Sequence, residues 1–160
     1  MTPEPLAKRV GELLRARQLT LATAESCTGG LVGHRLTDVP GSSDYYVGGV
    51  ISYANRVKQQ LLGVQPETLV HHGAVSQACA LEMARGVRHL LQADIGLSVT
   101  GIAGPTGGTP EKPVGLVYIA LAATDQELCR RFVWDGDRAE NKARSAQAAL
   151  ELLAAYLHSQ

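Results

Sequence analysis

Apolar residues recur along this chain at two alternating spacings, one helical and one extended, so helices and strands are predicted in turn. Leu6, Val10, Leu13 and Leu14 stand at helical spacing with Arg and Lys between them, predicting an amphipathic helix over 3–17 whose start is marked by Pro3 and Pro5. The apolar run 19–24 predicts a buried strand. Helical spacing then returns from Thr28 to Leu36, and Asp38-Val39-Pro40-Gly41 ends it. Residues 42–52, rich in Tyr, Val and Ile, predict a second strand with a bulge at Gly48-Gly49. Asn55 reads as the N-cap of a short helix carrying Val57, Leu61 and Leu62 and stopped by Gly63. Pro66 opens a turn leading to a His-His-Gly loop, and Ser76 caps a long helix over 77–92 with Ala80, Met83, Ala84, Val87 and Leu91 on its inner face. A buried strand is predicted over 94–100, and an irregular glycine-rich stretch follows over 101–110. Strands over 114–124 and 127–134 form a hairpin, and a last helix runs from Arg138 to His158. Strands flanked by helices, plus one hairpin, predict a single α/β domain over 1–160: a three-layer α/β/α sandwich with a mixed, mostly parallel sheet.

Composition narrows the partners. The 160 residues carry 15 basic and 15 acidic side chains, so the formal net charge is zero, which argues against nucleic acid or a membrane surface as a partner. Zero charge also does little to oppose self-association. The first residues carry no signal-peptide pattern and no apolar run approaches membrane-spanning length, so a soluble, cytoplasmic protein is expected. Cys27, Cys79 and Cys129 stand far apart, without a C-x-x-C pair, and His71-His72 cannot present both rings on one face; no metal held by the protein alone is expected.

Two glycine-bearing turns follow predicted strands. Glu25-Ser26-Cys27-Thr28-Gly29-Gly30 joins a strand to a helix, and Ser26 occupies the place from which a nucleophile is offered in an open α/β sheet. The alternative is that Ser26 or Thr28 only caps the helix. Cys27, beside a helix start, is a rival nucleophile, although neighbours at a strand end point oppositely and cannot both face one cleft. If the two strands are parallel, the second turn lies at the same sheet edge, where Gly101, Gly104, Gly107 and Gly108 allow close backbone approach to an anion or form a mobile loop. Lys58, third in its helix after Asn55, sits near a positive dipole end, which favours the neutral amine that can deprotonate a serine; a solvated surface lysine is the plainer alternative. Tyr53 orients that lysine, shares its proton, or is a strand tyrosine. Arg138, at a helix start, suits a phosphate clamp or pairs with Asp135 or Asp137.

Ala24-Glu25-Ser26-Cys27-Thr28-Gly29-Gly30, Tyr53-Ala54-Asn55 with Lys58, Gly73-Ala74-Val75-Ser76, and Thr100-Gly101-Ile102-Ala103-Gly104-Pro105 with Gly107-Gly108 together resemble the C-terminal domain of the competence/damage-inducible CinA family. The resemblance covers essentially the whole chain, in order. It implies a nicotinamide-nucleotide amidohydrolase, which converts nicotinamide mononucleotide to nicotinate mononucleotide and ammonia without metal or other cofactor. Carried over, Ser26 is the nucleophile, Lys58 the general base, and Tyr53 and Thr100 complete the polar network. Amides around Cys27, Thr28 and Gly29 are candidate oxyanion donors. Substrate contacts fall to Thr28, Gly29, Gly30, Gly101, Gly104, Thr106, Gly107, Gly108 and Arg138, with Cys27 a packing residue. The resemblance further implies a homo-oligomer, without the N-terminal molybdopterin-binding-like domain of larger members. Two alternatives stand beside it: a catalytically inactive module of this fold that binds phosphate ligands, and a partner-binding protein of competence or DNA-damage responses.

Overall fold

The computed structural model describes residues 3–159, which fold into five strands and six α-helices. The helices are α1 (Pro3–Arg17), α2 (Leu31–Thr37), α3 (Asn55–Leu62), α4 (Pro66–His71), α5 (Gln77–Leu90) and α6 (Arg138–His158). The strands are β1 (Leu21–Glu25), β2 (Tyr46–Ile51), β3 (Ile95–Gly101), β4 (Leu116–Ala122) and β5 (Glu127–Val133), in the order β2-β1-β3-β4-β5. β1 pairs parallel with β2 and β3, while β4 is antiparallel to β3 and β5, so four of the five strands point one way. The α/β sandwich expected from the pattern is the fold observed.

Alternation along β1 divides the core. Leu21 faces the cluster built with α1, α2 and α6, in which Leu14, Ile119 and Leu150 are fully buried. Ala22 and Ala24 face α3 and α5, together with Leu62, Cys79, Met83 and Val87. On this side the strands present small residues, Ala22, Ala24 and Gly96, and α5 lies close on them. A Cβ at Gly96 would stand 2.0 Å from Ala84 O, and one at Gly86 would stand 1.9 Å from Leu62 O. The Gly86 contact seats α3 on α5, and that seat fixes where α3 can present Lys58.

Several boundaries differ from the pattern, each for a local reason. β1 begins at Leu21 because Leu19 N–H still bonds Leu14 O, and the Thr20 amide and hydroxyl bond the Asp94 carboxylate. The stretch before β2 is a one-turn 3-10 helix, Ser42–Asp44, and the register shifts past Val47 rather than at Gly48-Gly49. Pro66 starts a six-residue helix, not a bare turn. Asn55 is the first helical residue of α3; the cap position belongs to Ala54, which supplies no side-chain bond. α2 begins at Leu31, three residues later than expected, after Gly29 and Gly30 adopt positive φ (59° and 106°) that only glycine takes without strain.

Candidate functional site

β1 and β3 run parallel, so their carboxyl ends reach the same edge of the sheet, where ligands of open α/β folds bind. A cleft of about 330 Å³ opens there, lined by Ser26, Lys58, Thr100, Gly104, Arg138 and neighbouring residues. Ser26 follows the last residue of β1 and holds the strand register through its N–H to Val99 O at 2.9 Å. It continues the Ala22–Ala24 face of the strand, toward α3. Lys58 Nζ meets it there, 3.0 Å from Ser26 Oγ. The same nitrogen donates to Ser52 O at 2.7 Å and Tyr53 O at 3.2 Å, the two carbonyls just after β2.

Lys58 is 1% exposed, and burial lowers its pKa, opposed only by the Cys79 and Cys27 thiols. Those thiols are themselves pushed up by burial, to about 11 for Cys79 and about 12 for Cys27, so near neutrality they carry no charge to stabilise the ammonium. A neutral amine has two N–H donors and one lone pair. Ser52 O and Tyr53 O take the donors, and the lone pair is left for the Ser26 hydroxyl proton. Once protonated, the ammonium has an acceptor for each of its three hydrogens. The cradle therefore accommodates either protonation state of this amine.

The other residues singled out from the sequence divide. Thr100 lines the cleft, but its Oγ1 donates to Ala74 O at 2.9 Å, so it fixes the wall formed by Ala74 and Val75. Tyr53 acts on Lys58 through its carbonyl; the residue is 62% exposed, and its phenol accepts from Arg138 Nη2 at 3.2 Å. Arg138 pairs with neither Asp135 nor Asp137: Nη1 donates to Gly104 O at 2.7 Å, and it is Arg144 that binds Asp135. Gly101, Gly104, Thr106 and Gly107 line the cleft. Among the described residues, the amides of Ala103, Gly104, Thr106 and Gly107 donate to no carbonyl, and neither do those of Cys27 and Thr28. Gly108 packs on Val114 outside the cleft, and Thr28, Gly29 and Gly30 do not line it. Cys27 packs into the core with α2 and α6 yet also borders the cleft, so the expectation that Ser26 and Cys27 cannot both face one cleft is not met: the chain leaves the strand pleat at Ser26.

Three contributors were not marked out by the pattern. Asn55 lines the cleft, a role hidden by its resemblance to a cap. Asn141, buried in α6, donates to Ala103 O at 3.0 Å and so grips the glycine-rich segment beside Arg138. Glu25, 3% exposed, accepts from Thr28 Oγ1 and from the amides of Gly30, Val32 and Gly33. His71 and His72 line a separate groove of about 740 Å³ with Arg85 and Lys112. No helix among the described residues is long and apolar enough to cross a membrane.

Comparison with known proteins identifies the family and agrees with the fold. A family profile described as the CinA C-terminal domain matches residues 3–157. A putative competence-damage inducible protein of Halothermothrix orenii is 56% identical over 153 residues, and a CinA-like protein of Salinibacter ruber is 55% identical over 142 residues. These matches cover 95% and 89% of this chain but only 37% and 34% of the relatives, so the chain spans little more than a third of their length. Among solved structures, the competence/damage inducible protein CihA of Agrobacterium tumefaciens shares 42% identity at a TM-score of 0.94, over 98% of this chain and 95% of its own. A CinA superfamily protein of Klebsiella pneumoniae shares 35% identity at a TM-score of 0.96, with both chains fully covered. The protein therefore belongs to the CinA family, and residues 3–157 form its C-terminal domain.

Proposed function

We propose that this domain is an amidohydrolase that cleaves the carboxamide of nicotinamide mononucleotide, releasing ammonia and nicotinate mononucleotide. The observation that carries the proposal is the 3.0 Å approach of a buried lysine amine, lowered in pKa, to a serine hydroxyl at the mouth of a polar cleft. Ser26 Oγ attacks the carboxamide carbon while its proton passes to Lys58 Nζ. The amides of Cys27 and Thr28 are the donors nearest in sequence for the resulting oxyanion. Lys58 returns the proton to the leaving nitrogen, the C–N bond breaks, and ammonia departs. Water then adds to the acyl-serine with Lys58 again as base, the ester bond breaks, and the carboxylate product leaves with Ser26 restored.

Arg138 and the free amides from Ala103 to Gly107 supply the charge and donors that a phosphate-bearing tail requires. The test is ammonia release from nicotinamide mononucleotide by the purified protein. Ser26→Ala and Lys58→Ala are expected to abolish it, each by a factor on the order of 10⁴ or more. Loss in a Cys27→Ala protein alone would move the nucleophile to the thiol. Tight binding without any ammonia release would support the inactive binding module instead.

A further inference from the structure

We infer that Glu25 is the positioning residue on which nucleophile, oxyanion donors and base all depend. The inference rests on the serine–lysine reading above and extends it to a residue that touches no substrate.

The turn from Ser26 to Gly30 contains two adjacent glycines at positive φ, and such a segment has little intrinsic preference for one shape. Something outside the turn must hold it. Gly30, at the cap position of α2, has no side chain to bond the orphan amides of the helix start. Glu25 reaches over from the end of β1 and takes that role. Its Oε1 accepts from Val32 N at 2.9 Å, Gly30 N at 3.2 Å and Thr28 Oγ1 at 2.6 Å, and its Oε2 accepts from Gly33 N at 3.0 Å. No cation pairs with this buried carboxylate among the described ion pairs; amides and a hydroxyl solvate it. A buried charge of this kind is costly unless its bonds are fully made.

Two consequences follow for the cleft. Glu25 takes the amides of Gly30, Val32 and Gly33 and the Thr28 hydroxyl, while among the described residues the amides of Cys27 and Thr28 beside Ser26 donate to no carbonyl. Meanwhile the Glu25 carbonyl accepts from Ser52 N at 2.8 Å and Ser52 Oγ at 3.4 Å. Ser52 O is the closest acceptor of Lys58. Glu25 thus fixes the nucleophile turn with its side chain and the cradle of the base with its main chain.

The test uses Glu25→Gln and Thr28→Val in the full chain. A glutamine keeps the Oε1 acceptor but points an NH₂ group at Gly33 N–H. For folded Glu25→Gln protein, kcat on nicotinamide mononucleotide is expected to fall about 10²-fold with KM changed little, the signature of a misplaced reacting group. The acid limb of the pH–rate profile, which reports Lys58, is expected to keep its midpoint. Thr28→Val deletes one donor and spares the helix amides; a loss of about tenfold in kcat is expected at nearly unchanged Tm, and this variant decides the matter if Glu25→Gln does not fold. Reaction with an aryl phosphonofluoridate gives a readout independent of the nucleotide: the Ser26 Oγ–P bond forms, fluoride leaves, and the serine proton passes to Lys58. Its rate is expected to fall with kcat in both variants. Wild-type kcat and labelling rate in Thr28→Val, or a Glu25→Gln effect confined to KM, overturns the inference. A wild-type protein that labels at Ser26 but releases no ammonia overturns the substrate reading instead, and the variants' labelling rates still decide the role of Glu25.

Discussion

Replacing Lys58 by Met retains a long apolar stem and removes the amine, and the consequence for stability depends on pH in a calculable way. Burial holds the pKa of Lys58 below its ordinary 10.5. Between that lowered value and 10.5, the unfolded chain carries a proton on this lysine that the folded chain does not. Unfolding free energy then rises with pH by about 1.4 kcal/mol per unit, since stability increases wherever the unfolded state binds more protons. Below the folded pKa both states are charged and the dependence stops. The Cys27, Cys79 and Cys129 thiols, raised from 9.0 to about 12, 11 and 11, act in the opposite direction at higher pH. Wild type and variant both carry these thiols, so their contribution cancels to first order in the difference between the two proteins. Orphaning Ser52 O and Tyr53 O in the variant costs about 1–3 kcal/mol each, but this sets only the offset, not the slope. Urea unfolding of both proteins at several pH values from neutrality up to 10.5 gives the difference in stability. That difference is expected to grow in favour of the wild type by about 1.4 kcal/mol per pH unit. A difference that stays flat all the way to 10.5 means that the pKa of Lys58 is not lowered inside the fold, and its role as a neutral base is refuted.

Gly86→Ala places a methyl group 1.9 Å from Leu62 O, against backbone that cannot rotate away, and forces α3 off α5. A loss of roughly 2–3 kcal/mol is expected, seen as a Tm drop of roughly 4–12 °C; a Tm within a degree of wild type would show that the seat of α3 tolerates a side chain. Arg138→Ala removes the bonds to Gly104 O and Tyr53 Oη together with the only guanidinium that lines the cleft among the described residues. About a tenfold or larger rise in KM for the phosphorylated substrate is expected at nearly constant kcat, and an unchanged KM would remove Arg138 from phosphate recognition. Cys27→Ala is expected to keep kcat within a few-fold while costing about 1 kcal/mol in urea unfolding, as a small cavity replaces the thiol; loss of turnover with stability intact would contradict its packing role.

How far the sequence could be read depended on where each element finds its partners. α6 is legible to the residue because its start is signalled locally: Asp137 and Glu140 form a capping box, and alanines and leucines carry the packing face to His158. The start of α2 is not, because its cap is a glutamate on the preceding strand and the nominal cap position is a glycine. Ser26 and Lys58 stand out by residue type and by family resemblance, but only the parallel pairing of β1 with β2 and the Gly86 seat bring them together. Tyr53 shows a limit of a different kind. Its phenol suggested a chemical role for the side chain, whereas its carbonyl is what holds the lysine, and main-chain roles leave no mark on residue identity. The same holds for Thr100, whose hydroxyl is spent on Ala74 O.

The two halves of the proton relay ride on strands of unequal security. Ser26 extends β1, flanked on both sides by neighbours, while Ser52 and Tyr53 extend β2, one of the sheet's two edge strands. Outermost strands fray before interior ones, so a brief peeling of β2 carries off the carbonyls that grip the ammonium and leaves the hydroxyl where it was. Under the proposed reaction, turnover is tied to the local opening equilibrium of one short ribbon, and whatever clamps that ribbon's free side would tighten the chemistry without touching the reacting atoms.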